Sequence, residues 1–245
     1  MFIKVISILS SLTLLSRVLG YLRDLLIAKV IGAGLISDCF FIAFKLPNLF
    51  RRLFAEGSMN SAFIPVISGV REKVGKIEAD QFFSKIFSML IIFLFLFVIL
   101  LEIFAPLVIS LIAPGFSEDS LKKELTVDFA RLTFPFLLFI CATSLIGAYL
   151  NTLGKFASMA LTPVILNLTI ITCLVIFFKN TDQTFITYYL SLSISIAGII
   201  QLVWMLYNLK RNKVSEASEM DIKNLKLPPW IIPNRSLEIQ FERKL

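Results

Sequence analysis

The chain has 245 residues, of which 57% are hydrophobic and 17% charged, with a net charge of +7 and no histidine. A soluble domain carries roughly 45–50% apolar and about 25% charged residues, so this surplus of apolar side chains excludes an ordinary water-solvated globule and points to a bilayer. The missing histidines exclude any mechanism that needs an imidazole base, and no zinc-finger spacing or RNA-binding signature connects the positive charge to nucleic acid.

A membrane-spanning helix needs roughly 20 mostly apolar residues. Six stretches qualify in chain order: 3–31, ending at Gly32-Ala33-Gly34, then 35–54, 83–112, 125–153, 156–178 and 184–209. The expected fold class is all-α, a polytopic transmembrane helical bundle over residues 1–210 with a polar cytoplasmic tail at 211–245. The start of the chain, Lys4 and an apolar run over 5–15, resembles a signal-peptide core. Arg17, Arg23 and Asp24 follow in the same stretch without a small-residue cleavage site, so an uncleaved first helix is expected. Segment 58–80 starts apolar and ends in Arg71, Glu72, Lys73 and Lys76, which predicts a short helix at the membrane interface. Turns are expected at Pro114-Gly115, 151–155 and 179–183.

Loop charges predict the topology. With the N-terminus inside, one side collects Lys4, Arg51, Arg52, Arg71, Lys73, Lys76, Lys155, Lys210, Arg211 and Lys213. The other holds Lys29, Lys122, Lys123 and Lys179, offset by Glu118, Asp119 and Asp182. Because Lys and Arg accumulate on the cytoplasmic side, both termini are expected there.

The chemistry lies in the charged residues of the first two stretches. Arg17 sits roughly 20 Å along the first helix at 1.5 Å per residue, and Arg23 and Asp24 lie deeper. A charge at bilayer depth costs about 2.5–3.5 kcal/mol on the lenient scale, so these side chains should face a water-filled cavity or one another. Arg17 and Asp24, seven residues apart, share a face, and Arg23 is rotated about 120° from Arg17. In the second helix Asp38, Lys45 and Arg52 recur at seven-residue spacing, with Phe41 and Asn48 on the same stripe and Arg51 beside them. Pro47 breaks the backbone ladder, which helices lining a cavity tolerate. The excess of cations over Asp24 and Asp38 suits an anionic substrate, and arginine forks favour phosphate or diphosphate. The competing reading is that these charges pair internally and fix helix packing, with Arg51 and Arg52 serving as interfacial anchors.

Other polar residues are read as structural. Cys39, Cys141 and Cys173 lie far apart in apolar runs and are expected to be packed free thiols. No metal site and no cofactor are expected, and no nucleophile–base pair or phosphate-cradling loop suggests an enzyme. Glu102 stands alone, Asp128 and Arg131 are spaced for a local ion pair, and Asn167 beside Pro163 suits interhelical bonding.

The run from Ser16-Arg17 to Arg23-Asp24, the run from Ser37-Asp38 through Lys45-Leu46-Pro47-Asn48 and Arg51-Arg52 to Glu56-Gly57, then Ala113-Pro114-Gly115-Phe116, Thr133-Phe134-Pro135, Asn151-Thr152, and Pro163 to Asn167 follow one another along the chain. Together these segments resemble the MurJ (MviN) family of lipid II flippases. The resemblance covers roughly residues 1–210. It implies a flippase that moves the undecaprenyl-diphosphate-linked peptidoglycan precursor across the bacterial inner membrane by alternating access. Motif arginines map onto Arg17, Arg23 and Arg51, implied to engage the diphosphate, and Asp24 and Asp38 fall on matching cavity positions. Members of that family carry about fourteen spans in two lobes around the cavity. Six spans correspond to one lobe, which implies a truncated or partial form, or a chain paired with a second lobe or with itself. The alternatives are an inactive or scaffolding membrane fragment and an exporter of another substrate in the same superfamily.

Overall fold

A computed structural model of the chain describes residues 2–52, 59–116, 119–179 and 182–219. The end of the second expected span, Glu56-Gly57, Glu118 and the tail beyond 219 lie outside them. Ten α-helices and no strand occur among the described residues: α1 (Phe2–Val30), α2 (Leu35–Phe50), α3 (Met59–Lys73), α4 (Lys76–Ile103), α5 (Ala105–Ile112), α6 (Ser120–Thr133), α7 (Pro135–Thr152), α8 (Ala157–Ala160), α9 (Thr162–Ile176) and α10 (Gln183–Glu219). The fold is an all-helical membrane bundle. Among the described residues, four helical segments are long and apolar enough to cross a membrane by length and composition: Lys76–Ile103, Ser120–Thr152, Ala157–Ile176 and Gln183–Asn212. α1 carries Arg17, Arg23 and Asp24, and α2 is described over only 16 residues.

Prolines decide where the helices break, a detail that the hydropathy pattern smooths over. The 83–112 stretch divides at Phe104 into α4 and α5 because Pro106 starts a new helix. The 125–153 stretch divides at Phe134, ahead of Pro135. The 156–178 stretch divides at Leu161, with Pro163 opening α9. A proline has no N–H to donate to the carbonyl four residues earlier, and in a membrane that carbonyl needs another donor. At Pro163 and at Pro47 of α2 a hydroxyl provides it. Met159, four residues before Pro163, accepts from Thr162 Oγ at 2.8 Å. Ala43, four residues before Pro47 in α2, accepts at 3.2 Å from Thr133 Oγ of α6, whose proton is shared with the Ala130 carbonyl at 3.0 Å. Thr133 and Ala43 are both fully buried. Thr133→Val should therefore orphan the Ala43 carbonyl and lower stability by about 1 kcal/mol. Thermal unfolding of the detergent-solubilised protein would register the loss, whereas an unchanged midpoint would deny the hydroxyl this role.

The core surrounds α7, which is buried on nearly every side by α10, α3, α4 and α2. One apolar cluster joins Cys39, Phe40, Phe129, Phe134, Phe136, Ile140 and Ile194. A second joins Phe63, Ile67, Phe83, Tyr149, Leu150, Met205 and Leu209. There the rings of Phe83 and Tyr149 lie 4.3 Å apart, and Tyr149 donates its hydroxyl proton to Asp80. Cys39, Cys141 and Cys173 are buried free thiols, as expected.

One sequence expectation is revised. Asp128 does not pair with Arg131: its carboxylate accepts from the Tyr188 hydroxyl of α10 at 2.7 Å, and Arg131 is instead the electrostatic neighbour of Glu102. Residues three apart on a helix can reach each other, but a partner on a packed neighbour can win. The helix expected across 58–80 is α3, Met59–Lys73, and Gly75 at φ 120° turns the chain directly into α4. At the other end, α10 continues past Lys210 to Glu219, so the segment expected as a polar tail begins as helix.

Candidate functional site

The site residues predicted from sequence sit on α1 and α2, which are held by different neighbours. α1 packs on α9 and α8, α2 packs on α6, α10 and α7, and among the described residues α1 and α2 share almost no contact. Each helix therefore presents a face that the rest of the bundle leaves uncovered. On α1 that face carries Arg17, Tyr21 and Asp24, all exposed. On α2 and the turn that continues it, that face carries Asp38, Phe41, Lys45, Leu49 and Arg52, again all exposed. The seven-residue phases read from the sequence coincide with these faces. Arg17, Asp38, Lys45 and Arg52 make no side-chain hydrogen bond or ion pair among the described residues.

Arg23 is held differently. It lies on the side of α1 that packs against α9, with 22% of its side chain exposed, against 63% for Asp24. Its Nε and Nη2 donate to Asp24 Oδ1 at 2.9 and 2.7 Å, and its Nη1 donates to Asn167 Oδ1 of α9 at 2.9 Å. Asn167 Nδ2 in turn donates to the Ser16 carbonyl at 3.0 Å. Asn167 thus bonds between helices, as the sequence reading expected. Arg23 and Asp24 thus pair with each other, and Arg17, Lys45 and Arg52 have no such partner among the described residues.

Arg51 occupies a third position. The N–H of Arg51 reaches back to the carbonyls of both Pro47 and Asn48, and the backbone widens into a π-type turn over Arg51 and Arg52. Arg51 Nε donates to Asn48 Oδ1 at 3.1 Å, so Asn48 supports the guanidinium. The Arg51 side chain opens onto a cleft of about 220 Å³ lined by Asn151, Phe156, Met159, Thr162 and Pro163. Asn151 and Thr162 were not singled out from sequence as site residues. The spacing between residues 51, 151 and 162 carries no periodic signal, and only the packing of α2 beside the α7–α9 corner brings them together.

Among the described residues no cluster of His, Cys, Asp or Glu could hold a metal ion. Chemically, these residues offer arginine and lysine cations with hydrogen-bonding amides, groups that can hold an anion.

The family profile described as lipid II flippase MurJ matches residues 27–229. The chain belongs to the lipid II flippase MurJ family. A probable lipid II flippase MurJ from Rickettsia prowazekii is 39% identical over 223 residues, covering 89% of this chain and 43% of that protein. Another from Rhizobium tropici is 40% identical over 193 residues, covering 78% of this chain and 36% of that protein. A solved lipid II flippase MurJ in an inward closed conformation matches with a TM-score of 0.70 at 33% identity, over 81% of this chain and 41% of that one. The chain thus spans less than half the length of the flippases it matches. The family profile covers Asp38, Lys45, Asn48, Arg51 and Arg52 and begins after Arg17, Arg23 and Asp24.

Proposed function

We propose that this chain forms one wall of a cationic cavity that passes lipid II, or its undecaprenyl-diphosphate portion, across the bacterial inner membrane. The observation that carries this reading is the uncovered set of cations on α1, α2 and the turn after it that have no ion-pair partner among the described residues: Arg17, Lys45 and Arg52, with Arg51 opening onto its own cleft. Unpaired charge facing lipid would cost about 2.5–3.5 kcal/mol per residue, so helices that carry it line water. Arg17, Arg23 and Arg51 supply forks for the diphosphate oxygens, Lys45 and Arg52 add point charge, and Asp24 and Asp38 keep the empty cavity from being uniformly positive. Asn48 acts through Arg51. Both termini are cytoplasmic, by the same loop-charge argument that sets the orientation of the spans. The chain is a transporter component and no bond of the substrate is broken on it. Alternating access needs two bodies that rock against each other, so the uncovered faces of α1 and α2 meet either a second lobe or a second copy of this chain.

The reading is tested by placing the full chain in lipid nanodiscs and measuring binding of undecaprenyl diphosphate and of uncharged undecaprenol. Saturable binding of the diphosphate that weakens with salt, with none of the alcohol, is the expected result. Equal binding of both lipids would mean that the hydrocarbon tail alone is recognised, and the cavity assignment would fail.

A further inference from the structure

We infer that Asn167 is a positioning residue that aims the Arg23 guanidinium at an anionic headgroup. The inference rests on the cavity reading above and adds a residue from a third helix to it. Asn167 is 5% exposed and sits in α9, 144 positions from Arg23 in the chain. Its amide is used at both ends: Oδ1 accepts from Arg23 Nη1 at 2.9 Å, and Nδ2 donates to the Ser16 carbonyl at 3.0 Å. The direction of both bonds is chemically forced, because a guanidinium only donates and a carbonyl only accepts. An asparagine is therefore suited here in a way that aspartate or leucine is not. A carboxylate would set an oxygen against the Ser16 carbonyl, and a leucine would leave both groups without the amide.

Donor counting gives this geometry its consequence. A guanidinium has five N–H donors in a rigid plane. Three are committed, two to Asp24 Oδ1 and one to Asn167 Oδ1. The remaining two, one on Nη1 and one on Nη2, are left for an anion. Asp24 is mostly exposed and can rehydrate when an anion arrives, whereas Asn167 is buried and anchored to the α1 backbone. Asn167 thus keeps the fork oriented when the Asp24 partnership changes, and it ties α9 to the occupancy of the site.

The test is a double-mutant cycle on the full chain in nanodiscs, read as affinity for undecaprenyl diphosphate, with thermal unfolding in parallel. Asn167→Leu is expected to weaken binding by about tenfold, the scale of one hydrogen bond to a charged group. Asn167→Gln, which keeps both amide functions, should recover part of that affinity. In an Arg23→Ala background Asn167→Leu should have no further effect. An equal loss in both backgrounds, or no loss from Asn167→Leu, would overturn the inference and leave the cavity reading standing. Full binding by Arg23→Ala itself would remove Arg23 from the site and overturn both. Should Asn167→Leu not insert, Asn167→Ser carries the same cycle with the same outcomes.

Discussion

Replacing Arg17 with alanine is expected to lower affinity for undecaprenyl diphosphate by about tenfold or more, the scale of losing a charge-assisted fork, while leaving thermal stability unchanged. The two halves of this expectation come from the same fact. Arg17 is exposed and has no hydrogen-bond or ion-pair partner among the described residues, so nothing in the fold depends on it. Arg23 is less clean, because its loss also strips Asp24 and Asn167 of a partner. Arg17→Lys should recover only part of the affinity, since an ammonium keeps the charge and lacks the planar fork. Nanodisc binding at two salt concentrations, with a melting curve on the same samples, measures both halves. Wild-type affinity in Arg17→Ala would show that the open face of α1 does not meet the headgroup.

The second large effect is expected at Gly198, where α10 lies against α7. A Cβ there would fall 2.8 Å from Phe136 Cδ2 and 2.9 Å from Phe139 Cβ. Phe136 is fully buried, so its ring has little room to turn aside, and Phe139 Cβ is fixed to the backbone. Gly198→Ala should destabilise the bundle by about 1–3 kcal/mol, the usual range for overpacking. Gly147 makes the comparison informative. Its added Cβ would meet Met159 Sδ at 2.6 Å, a closer approach, but against the flexible end of an unbranched side chain. Gly147→Ala should therefore cost less than Gly198→Ala despite the shorter distance. Melting midpoints of the two variants in detergent would decide it, and the reverse order would mean that distance outweighs the freedom of the contacting atom.

Much of the bundle was legible in the sequence because its signals are local. Runs of apolar residues set the helical fold class, and Arg17 with Asp24, or Asp38 with Lys45 and Arg52, share a face by helical arithmetic alone. The free buried cysteines followed from their apolar surroundings. Helix breaks were less legible, since a hydropathy window averages over Pro106, Pro135 and Pro163 although each interrupts the hydrogen-bond ladder. The expected Asp128–Arg131 pair failed because sequence spacing shows which residues are near on one helix and not what the next helix offers.

The amino-acid sequence by itself therefore determined a helical membrane protein with cations on defined stripes of its first two helices, because hydropathy and the helical period act over a few turns of chain. Only the tertiary structure decided which cations are free and which are paired. Asn167 reaches Arg23 from α9, Thr133 of α6 bonds the carbonyl that Pro47 leaves open in α2, and Asn151 and Thr162 come to line the cleft of Arg51. Each of these depends on how helices distant in sequence dock, a balance of packing and buried hydrogen bonds that no local pattern records.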